Sequence, residues 1–286
     1  MSQTVIIEND NLKAQISTLG AELRSVQNKD GKEYLWSGDP SIWGSVAPIL
    51  FPICGGLKEN KYTLDGKEYT LEKHGFIRKQ EFEIAEKEKG RVLFSFSETE
   101  ETLASYPFKF RFTAEYILKD NSIITNYSVT NNSGDTMYFS VGAHEGFATP
   151  EGIEDYKIVF EKPETLNSYK VDSSLMSNKF ETILENSDTL ELKKDYFATD
   201  AIIIKELNSR SVTLVNKNGD RKIKYDFPDC DHLLLWQICG AKYLCIEPWT
   251  GLPDIVGTSY ELENKVSITP IESEDTADFA HTVTFD

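Results

Sequence analysis

Three stretches far apart in the chain each offer a side chain able to move protons: HGFIR around His74, VGAHEGF around His144 and CIEPWTG around Glu247. An imidazole titrates near neutrality, and burial can tune a carboxyl upward, so a histidine and a glutamate together can supply an acid and a base. Only four histidines occur in 286 residues, and these two stand close to glycines in apolar surroundings. A glycine in such a place removes bulk and lets a ligand or another backbone approach.

Each residue also has a plainer reading. His144 follows the apolar run MYFSVGA, where a buried histidine can simply satisfy a carbonyl. His74 follows a hairpin and can be an ordinary loop residue. Glu247 is more telling, because it ends the apolar run YLCI directly before Pro248. A carboxylate in that company is expensive to bury unless it is paired. Trp249 beside it is either a core tryptophan or a flat apolar face for a sugar ring. Taken together, the stretches point to acid–base chemistry on a carbohydrate.

The elements that must position these groups read as strands. KYTLDGKEYTL shows the period-2 alternation of a half-buried hairpin, with Asp65-Gly66 as the turn. The pentapeptide DGKEY also occurs at Asp30 to Tyr34, but its flanks differ, so repeated turn chemistry is expected rather than a duplicated domain. Further strand-like runs are Arg91 to Ser97, Phe110 to Leu118, Ser122 to Thr130, Met137 to Ala143 and Asp155 to Phe160. Later ones are Ala201 to Glu206, Ser211 to Asn216, Lys222 to Phe227, His232 to Gln237, Leu244 to Glu247, Lys265 to Thr269 and His281 to Phe285. Helix is scarce. One short helix is expected from Thr99 to Ser105, opened by Ser97-Glu98-Thr99-Glu100 as a capping box and stopped before Pro107. Asp39-Pro40 is expected to open a single turn. The acidic run ESEDTAD, Glu272 to Asp278, reads as a solvated loop before the last strand. Many short strands with almost no helix indicate an all-β sandwich or barrel, and no linker divides residues 1–286, so one domain is expected.

Composition narrows the partners. An apolar share of 40% and an aromatic share of 12% can fill a large core. A formal charge of −17 repels nucleic acid and anionic membranes, whereas a neutral sugar fits. Cys54, Cys230, Cys239 and Cys245 match no CxxC pair and no zinc framework, so reduced and mostly buried thiols are expected. His74, His144, His232 and His281 show no ligand spacing such as HxH. MSQTVIIENDN lacks the pattern of a signal peptide, and no run approaches the roughly 18 to 20 apolar residues of a membrane span, so a cytoplasmic protein is expected.

The three motifs, with PILFPICGGLKENKYTLDGKEYTLEK and ISTLGAEL before them, resemble the aldose 1-epimerase (galactose mutarotase) superfamily, most closely its LacX-like branch. The likeness runs in order across most of the chain. It implies a large antiparallel β-sandwich with an open sugar cleft, acting on a small-molecule sugar without metal or organic cofactor, as a monomer or homodimer. It also implies that His144 is the general acid and Glu247 the general base. His74 then holds sugar hydroxyls, Asp200 accepts from them, and Arg78 and Trp249 line the cleft. One departure stands out: relatives carry an arginine where this chain has Ile53-Cys54-Gly55-Gly56-Leu57. Lys58 is close by, but an ammonium is a poor substitute for a planar guanidinium. The activity implied is interconversion of the α and β anomers of an aldohexose. The alternatives are a hexose 6-phosphate epimerase, with Lys58, Lys73, Arg78 and Arg24 as candidate cations, or a binding protein without catalysis.

Overall fold

The computed structural model describes residues 2–172 and 174–286. About 52% of it is strand and 8% helix, arranged as the expected antiparallel β-sandwich. The chain begins with β1 (Thr4–Glu8), β2 (Leu12–Ser17), β3 (Leu23–Asn28), β4 (Lys61–Leu64), β5 (Lys67–Thr70), β6 (Glu83–Glu88) and β7 (Arg91–Ser97). After α1 (Glu100–Ser105) come β8 (Phe110–Lys119), β9 (Ser122–Asn131), β10 (Met137–Phe139), β11 (Glu145–Ala148), β12 (Tyr156–Asp172) and β13 (Leu175–Glu191). The rest comprises β14 (Ile202–Ile204), β15 (Ser211–Asn216), β16 (Lys222–Asp226), β17 (His232–Trp236), β18 (Tyr243–Trp249), β19 (Thr269–Ile271) and β20 (Thr276–Phe285).

The main sheet runs β11-β18-β17-β14-β12-β15-β16-β20-β9-β8-β7-β6, with β13 paired to β12. Its pairs are antiparallel, and β1-β2-β3 form a separate sheet. Alternating sequence becomes alternating burial: β9 shows buried residues at every second position from Ile123 to Asn131. The inward set includes Phe94, Phe110, Phe112, Tyr116, Val129 and Phe139, and one apolar cluster extends from Val5 to Phe285. β18 differs, since all seven residues from Tyr243 to Trp249 are buried. It is covered on both faces, and it carries Glu247. No helix among the described residues is long and apolar enough to cross a membrane.

The DGKEY hairpin forms as expected, with Asp65 at φ 50° and Gly66 at φ 73°, the conformation a tight two-residue turn demands. The turn at Asp39-Pro40 also forms, closed by a bond from the Trp43 N–H to the Asp39 carbonyl. Other boundaries differ from the reading of the sequence. Thr99, not Ser97, caps α1: its hydroxyl accepts from the Thr102 N–H while the Thr102 hydroxyl accepts from the Thr99 N–H. Residues 140–143 leave β10 and make single bridges from Gly142 to Leu50 and Trp249. Lys265 to Ile268 is a turn rather than a strand, closed by Ile268 N–H donating to the Lys265 carbonyl. The acidic loop ends at Asp275, and Thr276 to Asp278 already belong to β20, where Ser128 donates to Asp278. β12 runs far beyond Phe160 and returns as β13, a long hairpin with several register shifts.

Candidate active site

β18 and the residue just before β11 place Glu247 and His144 side by side. The register of the two strands pairs Glu145 with Ile246, which sets His144 opposite Glu247 across one rung of the sheet. His144 Nε2 lies 3.2 Å from Glu247 Oε2. Both line one pocket together with His74, Asp200, Trp236 and Trp249. Glu247 is 1% exposed and His144 8% exposed, so the pair sits at the dry floor of the pocket.

Burial governs their protonation. It pushes His144 down to about 3 and Glu247 well above its usual range. Desolvation is the largest cause of both shifts, and it disfavours the charged form of each residue. Both shifts favour the neutral form of each residue. His144 Nδ1 and Glu247 Oε1 are both buried without a partner among the described residues.

His74 reaches the same pocket by an unusual backbone route. It adopts φ 68°, and Gly75 after it adopts φ 65°. A side chain at Gly75 would put its Cβ 2.2 Å from the Phe51 carbonyl oxygen, so only glycine fits where these backbones bridge. The His74 N–H donates to the Gly55 carbonyl, and the Gly55 N–H donates to His74 Nδ1 at 3.1 Å. Accepting at Nδ1 fixes the tautomer with its proton on Nε2, making His74 a neutral donor. Burial agrees, holding it well below the ordinary histidine range. Its ring stands edge-on to His144 at 5.8 Å and to Trp249 at 5.4 Å between centroids.

Gly55 and Gly56 thus have a backbone role where an arginine was missed. A Cβ at Gly55 would meet Pro253 at 2.5 Å, and one at Gly56 would meet the Ser174 carbonyl at 2.9 Å. No side chain fits at either position, and the Gly55 N–H serves His74 instead. Asp200 lines the pocket with its Oδ1 accepting from the Ala201 N–H. Trp249 is a buried wall rather than an open platform: it is 2% exposed and its indole N–H donates to the Ala143 carbonyl. Arg78 lies beyond the histidines, in an adjoining chamber lined by Trp43, Ser45, Pro48, Lys73, His74, His144 and Trp236. Four of those residues also line the first pocket, so the two adjoin at the histidines.

The structure adds residues that the sequence did not single out. Trp43 packs on His144 at 5.3 Å and on Tyr243 at 5.2 Å, and Trp236 meets His144 edge-on at 5.7 Å. With only four tryptophans in the chain, their location was a usable signal. Cys245 joins His144 and Glu247 in a buried trio whose donor atoms lie within 4.8 Å of one another, the set that could hold a metal ion.

The aldose 1-epimerase family pattern matches residues 3–266. The chain is 35% identical to the plasmid-encoded protein LacX of Lactococcus lactis subsp. lactis over 295 residues, covering 98% of this chain and 99% of that protein. A galactose mutarotase related enzyme from Lactobacillus acidophilus superposes with a TM-score of 0.95 at 33% identity, over 99% of this chain and 97% of that one. A galactose mutarotase-like protein from Lactobacillus casei ATCC 334 superposes at 0.94 with 29% identity, over 99% and 100%.

Proposed function

Since the chain belongs to the aldose 1-epimerase family, we propose that it interconverts the α and β anomers of an aldohexose by opening and reclosing the pyranose ring. The observation that carries this reading is the 3.2 Å approach of His144 Nε2 to Glu247 Oε2 at the floor of a pocket that His74, Asp200 and Trp249 also line. Ring opening needs a proton taken from the C1 hydroxyl and one delivered to the ring oxygen. In the reacting arrangement Glu247 is ionised and His144 protonated, with sugar hydroxyls donating to the otherwise unpartnered Glu247 Oε1. Glu247 accepts the hydroxyl proton, the C1–O5 bond breaks, and His144 protonates O5. The pair is then neutral, the state that burial favours, so the dry floor stabilises the opened aldehyde. Rotation about C1–C2 presents the other carbonyl face, and the same two transfers run backwards. His74 donates from Nε2 to a sugar oxygen, and Asp200 accepts from a hydroxyl.

Each positioned proton carrier contributes about 10²–10⁴-fold, enough for a useful catalyst of a reaction that already proceeds unaided. Polarimetry on freshly dissolved α-glucose and α-galactose tests this directly. The decay of rotation accelerates in proportion to enzyme; a rate equal to that with heat-denatured protein removes the reading. Calorimetric sugar binding with no such acceleration would instead favour a binding protein.

A specific observation also favours a sugar bearing an anion at C6. Among the described residues the Lys73 ammonium has no partner, although the chain carries 47 acidic side chains, and Arg78 donates only to the Lys73 carbonyl. Of the other cations considered, Lys58 sits over the Tyr260 ring and Arg24 pairs with Glu22. The ring oxygen has two carbon neighbours. C1 must keep a free hydroxyl for Glu247, so the substituent passing His144 into the Lys73–Arg78 chamber is the one on C5. Comparing kcat/KM for a hexose and its 6-phosphate decides between the readings: a preference for the phosphate that falls in Lys73→Met supports the anionic substrate, and equal values exclude it.

A further inference from the structure

We propose that His144, Cys245 and Glu247 form an inhibitory site for a zinc-class divalent cation, which would occupy the proton-transfer pair itself. The inhibitory consequence rests on the epimerase reading above; the site does not.

Cys245 and Glu247 are two residues apart on β18, so their side chains leave the same face of the strand. The β11 register adds His144 beside them. The three donor atoms lie within 4.8 Å of one another, with imidazole nitrogen and carboxylate oxygen already at 3.2 Å. Ligands on a tetrahedral ion with bonds of about 2.0–2.3 Å stand some 3–4 Å apart, so small side-chain movements close the set. Two independent features show the donors uncommitted: Glu247 Oε1 is fully buried without a partner, and the buried Cys245 thiol makes no hydrogen bond among the described residues.

Charge makes the occupied state compatible with a dry floor. A dication bound by a thiolate, a carboxylate and a neutral imidazole sums to zero, which removes the main cost of burying an ion. One soft sulfur, one imidazole and one carboxylate suit zinc or cobalt(II), whereas magnesium and calcium require oxygen ligands. Three protein ligands leave a fourth position toward the pocket, which is also the way in. Once bound, the ion holds both Nε2 and the carboxylate, and neither can exchange a proton with a sugar.

Cobalt(II) added to the purified full chain reads the site without any assay of turnover. The expected result is a thiolate-to-cobalt charge-transfer band that is abolished by zinc and absent in Cys245→Ser. Zinc should suppress anomer exchange near stoichiometrically and a chelator restore it, with magnesium inert. For Cys245→Ser, inhibition relative to its own uninhibited rate should need at least 10–100 times more zinc, since even outer partners of a metal carry about that much affinity. Absence of the band in the wild-type chain overturns the proposal whatever the activity, as does a band that Cys245→Ser retains, or a band with undiminished turnover. A Cys245-dependent band in a protein that exchanges no anomers leaves the metal site standing and retires the epimerase reading.

Discussion

Gly142 offers a graded test of how the site is held. A Cβ built there would lie 2.5 Å from Trp249 Cδ1 and 2.9 Å from Cys54 Sγ. Ordinary carbon–carbon contact is about 3.5–4.0 Å, so Gly142→Ala must move the indole by about 1 Å. The indole cannot move alone, because its N–H donates to the Ala143 carbonyl and its backbone bridges to Gly142. Overpacking of this kind costs about 1–3 kcal/mol. At about 2–4 °C per kcal/mol for chains of this order, a 2 kcal/mol loss lowers Tm by about 4–8 °C. Displacement of the wall that contacts His74 should also cost about 100-fold in kcat/KM, the usual effect of a 1 Å misplacement. Polarimetric rates and differential scanning calorimetry measure both. Gly134→Ala serves as control, since a Cβ there meets nothing within 4 Å. Wild-type rate and Tm in Gly142→Ala would refute the packing account.

Three further outcomes are expected. Lys265 Nζ lies 2.8 Å from Asp254 Oδ1 in a buried pair, and Asp254 also accepts from the Lys58 N–H beside Gly56. Lys265→Met strands that carboxylate, so urea titration should show a loss of about 3–5 kcal/mol; a loss under about 1 kcal/mol contradicts it. Of the four thiols only Cys239 is exposed, so a thiol reagent should modify one equivalent quickly and three more only on unfolding; two fast equivalents would contradict the burial. The pH dependence of stability follows from His74, His144 and His232, all held below the ordinary 6.5 by burial. The unfolded chain takes up protons there that the folded one refuses, so stability falls as pH drops below about 6.5. Glu247, shifted upward, offsets one of the three. The urea midpoint should therefore fall from pH 7 to pH 5.5, and a flat midpoint over that range contradicts this.

Much of the sheet was legible because half-buried strands write their alternation into the sequence. β7 and β15 fall on the runs expected, and β9 extends its run by one residue. The β12–β13 hairpin was not legible, since β13 is an exposed edge from Lys179 to Thr182 and again at Glu185 and Asn186, with no buried face to impose a period. The cap of α1 was misplaced because Ser97-x-x-Glu100 and Thr99-x-x-Thr102 both satisfy a capping pattern, and only packing selects one. His74, His144 and Glu247 could be picked out because polar groups beside glycine and proline in apolar runs are costly. Cys245 could not, because a thiol inside YLCI looks like core. Lys73 was one of four candidate cations, and only the chamber it shares with Arg78 and His144 sets it apart from Lys58 and Arg24. The protonation of the pair was hidden as well, because burial depth depends on strands distant in the chain.

Anomer exchange by His144→Asn, Glu247→Gln and the double variant, with sugar binding checked by calorimetry, bears most directly on the central claim. Each single change should slow exchange by about 10²–10⁴-fold while sugar still binds, and the double should lose little more than the worse single, because the two transfers serve one ring opening and each needs the other. Single variants that bind sugar and exchange anomers at the wild-type rate would contradict it.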